Sequence, residues 1–323
     1  MMEMVGKRKK LFKMNGLSAI SDRASKVLSQ WWATQPANLR GAAWQVLSNL
    51  CFALMAVGIK IAGETIESFE IVFFRCLFGL ILTLPFILGQ GRGAFRIHRP
   101  GIHLLRALTG IAALSCGVYA ITHLPLAQAL TLGFTKTFFI LPLAVLVLGE
   151  TVPRWRWAAT ALGFIGVLII LRPDATGGID PAALVALLGA ALVAGVVILL
   201  RILARSERIS TILFYNGILT TLVSAVPAYL VWRMPDGETL ILLFAIAVCG
   251  VSGQASNIRS YRDGEAAAMA PFGYLRLILA GFLGFVLFGE IPDSWTWAGA
   301  TVIVASTLYI ALREARGDQK TQL

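Results

Sequence analysis

Hydrophobic residues along the chain gather into ten long runs, near residues 42–62, 68–88, 102–122, 126–148, 154–171, 181–203, 209–232, 239–258, 266–288 and 294–312. Each approaches the roughly 20 mostly apolar residues that a helix needs to cross a hydrocarbon core. The polar stretches between them are short, so no soluble domain is inserted. The pattern predicts an all-α membrane protein with ten transmembrane helices. Ahead of the first run, Leu17, Ile20, Ala24, Val27, Leu28 and Trp31 recur at helical spacing, with Ser18, Asp22, Arg23, Lys26 and Gln30 on the other face. Two readings of that segment stay open: an amphipathic helix on the membrane surface, or a tail with accidental periodicity. It has no short apolar core followed by a small-residue cleavage site, so no cleavable signal peptide is expected.

Composition agrees with the pattern. Of the 323 residues, 57% are hydrophobic and 14% charged, and the mean hydropathy is +0.77. An ordinary soluble domain carries about a quarter charged residues. A net charge of +11 in a soluble protein would suggest nucleic-acid binding, but here the basic residues sort by side of the membrane. With the N-terminus placed in the cytoplasm, 21 of the 28 basic residues fall on that side, among them Arg40, Arg99, Arg154, Arg156, Arg201, Arg259, Arg262 and Arg313. Only Lys60, Arg172 and Arg233 lie near the other side. This asymmetry predicts that both termini are cytoplasmic. Trp155, Trp157, Trp295 and Trp297 stand where interfacial aromatic anchors are expected. Cys51, Cys76, Cys116 and Cys249 lie inside apolar runs, without metal-ligand or disulfide spacing.

The chain repeats itself. Shifted by 140 residues, Leu148-Gly149-Glu150 with Trp155, Trp157 and Ala158 meets Phe288-Gly289-Glu290 with Trp295, Trp297 and Ala298. Upstream, Ala127, Gly133, Phe134, Lys136 and Leu143 meet Ala267, Gly273, Tyr274, Arg276 and Leu283. Five helices per copy is an odd number, so the copies are expected to face opposite ways across the bilayer, as in secondary transporters. The predicted organisation is a basic tail over 1–40, a first repeat over 41–172, a second over 180–313 and a short tail over 314–323.

These residues resemble the EamA-type branch of the drug/metabolite transporter superfamily. The resemblance rests on Leu124-Pro125-Leu126-Ala127 and Leu148-Gly149-Glu150 in the first copy. In the second it rests on Ala270-Pro271-Phe272, Tyr274, Leu287-Phe288-Gly289-Glu290, Trp297 and Gly299, and it extends to Arg75 in the second helix. It covers about residues 40–312 and implies two EamA units of five helices, a bacterial inner-membrane location and a central cavity between the halves. It says little about the cargo. Many relatives have a small or apolar residue where Lys136 stands.

The candidate chemistry is in the four basic residues inside apolar runs: Arg75, Arg106, Lys136 and Arg276. Lys136 lies about ten residues into its helix, about 15 Å deep at 1.5 Å per residue, and Arg276 is equally deep in the matching helix. Each charge at the bilayer centre costs ~2.5–3.5 kcal/mol, and no acid stands at their depth: Glu64, Glu67 and Glu70 are near the outer end, Glu150 and Glu290 close helices, and Asp263 and Glu265 precede the ninth helix. One reading is that Lys136 and Arg276 hold a carboxylate or phosphate; the phosphate-translocator branch of the superfamily is similar in this respect. The other is that they bond helix carbonyls or an unseen acid for packing alone. Arg75 has the same two readings, either pairing with Glu70 or Glu67 or lining the cavity, while Arg106 is close enough to a helix end to snorkel. Phe134, Tyr274, Tyr119, Asn49, Gln254 and Asn257 complete the candidate substrate-binding set, each with helix packing or an interhelical hydrogen bond as its alternative. Pro142, Pro227 and Pro271 are candidate bends, Pro125 a helix start, and the two Gly-Glu pairs structural helix ends.

An enzyme is not expected. His98, His103 and His123 are scattered, and no acid cluster, metal-ligand spacing or activated nucleophile is present. The expected partners are a small-molecule substrate and the lipid bilayer, with no cofactor, no metal and no nucleic acid. A carrier of an anionic or zwitterionic metabolite is the first reading, and a carrier of a neutral or cationic metabolite or drug the second.

Overall fold

The structure is a computed structural model that describes residues 34–89, 97–149, 151–171, 180–204, 206–207, 209–264, 269 and 272–321. The amphipathic N-terminal stretch, Glu150, Glu265 and Pro271 lie outside the described residues. Among the described residues the chain is all helical, without strands. The helices are α1 (Ala37–Ala62), α2 (Ser68–Leu88), α3 (Pro100–His123), α4 (Leu126–Phe134), α5 (Lys136–Leu148), α6 (Arg154–Ile170), α7 (Pro181–Ala204), α8 (Ile209–Leu230), α9 (Gly237–Asp263), α10 (Leu275–Phe288) and α11 (Ser294–Thr321).

Seven described segments are long and apolar enough to cross a membrane: α1, α2, α3, α4 with α5, α7, α8 and α9. α10 is apolar but has only 14 residues. α6 has 17 residues and opens on Arg154-Trp155-Arg156-Trp157, and α11 runs on into a charged end. Ten expected spans are therefore met in part. The outer surface is apolar, with Leu146 and Tyr229 both 80% exposed, as a multi-pass membrane protein requires where lipid replaces water.

The halves are interleaved. α1 packs on α9, α3 on α7, α2 on α8, α6 on α11 and α4 on α10. Exchanging the two halves maps this set of pairs onto itself, so the repeat seen in the sequence is also a repeat in packing. Small residues bring the axes close, as membrane helices need in the absence of a hydrophobic driving force between them. A side chain on Gly166 would come within 2.8 Å of the Gly299 carbonyl oxygen, so α6 and α11 touch backbone to backbone. A Cβ on Gly163 would fall 2.0 Å from Phe138, whose ring is fully buried over it.

The repeated Leu/Phe-Gly-Glu motif has a backbone counterpart. Gly149 ends α5 at φ 67°, ψ 23°, and Gly289 ends α10 at φ 66°, ψ 18°. Both sit in the left-handed region, where lack of a Cβ removes the steric penalty. The Gly289 N–H donates to Phe285 and the Glu290 N–H reaches back to the Gly284 carbonyl at 3.1 Å. That closure turns the Glu290 side chain back along the helix.

The predicted fourth span is interrupted at Thr135, ahead of Pro142. The Thr135 N–H donates to Leu132 at 3.1 Å, Phe138 N–H donates to Thr135 at 2.9 Å, and Thr135 Oγ1 donates to Leu132 at 2.6 Å. These i to i−3 bonds tighten one turn just before Lys136. In the second copy the Leu277 N–H donates to Tyr274 at 2.9 Å, tightening the turn just before Arg276.

A basic cavity between the two halves

The two interruptions face each other across one cavity of about 410 Å³. Lys136 and Arg276 both line it, each on the first turn after its break. α1 supplies Gln45, Ser48, Asn49 and Phe52, one face of a helix at i, i+3, i+4 and i+7. The rest of the wall includes Phe134, Tyr274, Asn257, Tyr261, Thr137, Thr160 and Thr307. Arg156 and Arg201, which also engage other neighbours, complete the basic set. Among the described residues the lining thus holds four basic side chains and no carboxylate.

Arg276 is held by aromatic rings. Its guanidinium lies 4.6 Å from the Phe52 centroid and 6.0 Å from that of Phe134. Phe134 in turn packs on Tyr274, centroids 5.4 Å apart. A cation over a ring face is fixed in orientation while its in-plane N–H donors stay available, and Arg276 Nε is buried without a hydrogen-bond partner. Among the described residues neither Lys136 nor Arg276 is in an ion pair. On α1, Ser48 Oγ donates to the Gly253 carbonyl at 2.8 Å, and Asn49 Nδ2 donates to that of Phe272 at 2.6 Å. Asn49 therefore anchors the segment leading to Arg276 while lining the cavity.

Six of the nine candidate site residues meet here: Lys136, Arg276, Phe134, Tyr274, Asn49 and Asn257. Three do not. Gln254 is exposed on α9: its neighbour Gly253 packs on Cys51 and Phe52, and one step of about 100° turns Gln254 away, whereas Asn257 returns to the inner face. Tyr119 stacks on His123, centroids 3.9 Å apart, towards the other end of α3. Arg75 lies beneath α9, where a side chain at Gly250 would come within 4.0 Å of its Nε. Among the described residues Arg75 is in no ion pair, with Glu70 or with Glu67, and the Glu70 carboxylate accepts the backbone N–H groups of Arg233 at 2.7 Å and Glu67 at 3.3 Å. Arg106 does not snorkel; its Nη1 donates to Asn216 Oδ1 on α8 at 2.5 Å.

The sequence reading passed over Gln45, Ser48 and Phe52, although their spacing with Asn49 marks one face of α1. Arg156 and Arg201 were absorbed into the topology count. Nothing in their local sequence separates an interfacial arginine that faces lipid headgroups from one that faces a cavity mouth.

A helical membrane protein built from two repeats around one ligand-sized cavity is, by class, a membrane carrier. The chain belongs to the EamA-like transporter family, whose model matches residues 39–172 and again 180–312. It is 32% identical over 278 residues to the S-adenosylmethionine uptake transporter of Rickettsia prowazekii, covering 86% of this chain and 94% of that one. It is 33% identical over 286 residues to the riboflavin transporter of Rhizobium johnstonii, covering 87% and 93%. To the pseudopaline exporter CntI of Pseudomonas aeruginosa it is 32% identical over 277 residues, covering 84% and 95%. The chain is thus a multi-pass membrane transporter of a small molecule.

Proposed function

We propose that this chain is a secondary transporter of a small anionic or zwitterionic metabolite in the bacterial inner membrane, with both termini in the cytoplasm. Ten helices form two inverted five-helix repeats, and the central cavity is exposed to the two sides in turn. Lys136 and Arg276 receive the cargo's carboxylate or phosphate; Phe134, Tyr274, Asn49 and Asn257 shape the rest of the site. The observation that carries the reading is the meeting of these two cations in one cavity whose lining, among the described residues, holds no carboxylate. A charge so deep in the bilayer costs ~2.5–3.5 kcal/mol on insertion scales and is retained where it faces water, a partner or a ligand.

The test is counterflow in proteoliposomes with labelled anions, zwitterions, neutral compounds and cations. Lys136→Ala and Arg276→Ala, in protein that remains monodisperse, are expected to lower uptake of the anionic or zwitterionic cargo about tenfold or more. Wild-type uptake of that cargo by both variants ends the proposal. A second reading has a specific observation behind it. The stacking of Arg276 on Phe52 would also suit a structural cation, and one relative is a riboflavin transporter. In that case the cargo is neutral or cationic, and both variants carry it at the wild-type rate.

A further inference from the structure

The cavity is blind at one end. Its lining reaches Arg156 at the start of α6, Arg201 near the end of α7, and Tyr261 and Ile310 late in α9 and α11. All lie towards the end of the molecule where α1 begins. At the other end, where α1 stops, no described residue contributes to the lining. A compact tie between the halves stands there instead. Lys60, on the last turn of α1, forms an ion pair with Glu290 and donates to the Leu124 carbonyl at 2.8 Å. The second oxygen of Glu290 accepts the Leu126 N–H at 2.7 Å. That group is one of the unpaired donors at the start of α4, where a negative charge is favourable. Lys60 also lies 5.4 Å from the Phe288 ring. Gly284 makes room for the carboxylate, since a Cβ there would fall 2.8 Å from Glu290 Oε2. The three helices so joined, α1, α4 and α10, lead directly to Phe52, Phe134 and Arg276.

A second kind of tie also links the halves, and it occurs in two matched copies. Glu70, in the first turn of α2, accepts the Arg233 N–H from the loop before α9 at 2.7 Å. Glu207, just before α8, accepts the His98 and Arg99 N–H groups from the loop before α3 at 2.6 and 3.0 Å. In each half an acid at the start of the second helix holds the loop before the other half's third helix, at opposite ends of the molecule.

We infer that Lys60, Glu290 and the Leu124–Leu126 backbone form the gate over the blind end of the cavity, which must part for cargo to pass on that side, while the Glu70 and Glu207 ties persist. The inference rests on the alternating-access part of the proposed function and is independent of the sign of the cargo. Parting the gate exposes an ammonium and a carboxylate, both only about 15% exposed here, to water that can solvate them.

The experiment reads the gate without any cargo. Cys51, Cys76, Cys116 and Cys249 are replaced, and Thr137→Cys provides a reporter in the cavity. A membrane-impermeant maleimide is applied separately to right-side-out and inside-out vesicles. Lys60→Ala and Glu290→Gln are expected to raise labelling from the Lys60 side about fivefold, whereas Lys60→Arg, which keeps the charge and N–H donors for Glu290 and the Leu124 carbonyl, should stay near the parent rate. Glu290→Asp, which keeps the carboxylate but draws it back by one methylene, covers the case in which those variants fail to fold and should raise labelling from the Lys60 side about twofold while leaving labelling from the other side unchanged. Rates equal to the parent's in Lys60→Ala, Glu290→Gln and Glu290→Asp overturn the gate. If Lys136→Ala and Arg276→Ala transport normally while this pattern holds, the anionic-cargo reading fails and the gate stands.

Discussion

Two pairs of charges come from opposite halves of the molecule, and they behave in opposite ways. Lys60 and Glu290 have opposite signs, and the second carboxylate oxygen of Glu290 is engaged by the Leu126 backbone N–H. Lys136 and Arg276 have the same sign and face a cavity whose lining, among the described residues, offers no carboxylate. A paired site is complete without a ligand and can only hold or release its own helices. A like-charged site is incomplete, and an arriving anion lowers its energy. Charges placed at different depths thus provide a staple in one place and, under the proposed function, a receptor in the other.

The contrast is broken most severely by turning the receptor into a staple. Lys136→Glu would set an acid against Arg276; uptake of an anionic cargo in counterflow is expected to fall by more than about tenfold, while melting in detergent changes little or moves up. A lower melting temperature with uptake intact would show that the cations serve packing. A smaller effect is expected from Gly163→Ala, which drives a methyl group into the Phe138 ring two residues after Lys136. Overpacking of this kind costs about 1–3 kcal/mol, visible as a lower melting temperature. It should also weaken uptake.

Smaller again is the acid response of the Glu207 tie. Burial pushes this carboxyl up, but hydrogen bonds from His98 and Arg99 outweigh burial and hold it below the ordinary value of 4.5. The stability it contributes is fully present above the unfolded value and is lost as pH falls through the lower folded value. The difference in melting between the wild type and Glu207→Gln should therefore shrink as pH falls below about 4.5, where the carboxylate is lost. A difference that persists or widens below that pH contradicts the assignment. Least of all should change with Gln254→Ala, since that side chain is exposed on the outer face of α9; uptake within about twofold of wild type is expected.

What was legible in the sequence follows from period and register. The 140-residue offset paired Lys136 with Arg276 and Phe134 with Tyr274, and the structure brings all four to one cavity. The Gly-Glu pairs were readable as helix ends because a left-handed terminus has a strong residue preference. Other features left no local mark. Lys60 is 230 positions from Glu290, and along the chain it reads as a single charge near a helix end. The break at Thr135 needs no proline, only a shift from i−4 to i−3 bonding, whereas Pro142, which drew notice in the sequence, lies within α5. Gln254 differs from Asn257 only by rotation about α9, and the hydrophobic pattern of that helix is too even all round to say which face is inner.

Gly149 and Gly289 end their helices within 1° in φ and 5° in ψ of each other, while the residues before them differ, Leu148 in one copy and Phe288 in the other. Ancestral punctuation has outlasted the vocabulary around it. Duplicated chains whose halves no longer align by residue type could accordingly be recognised by their irregular dihedral angles, recurring at a fixed interval, long after the side chains have stopped resembling one another.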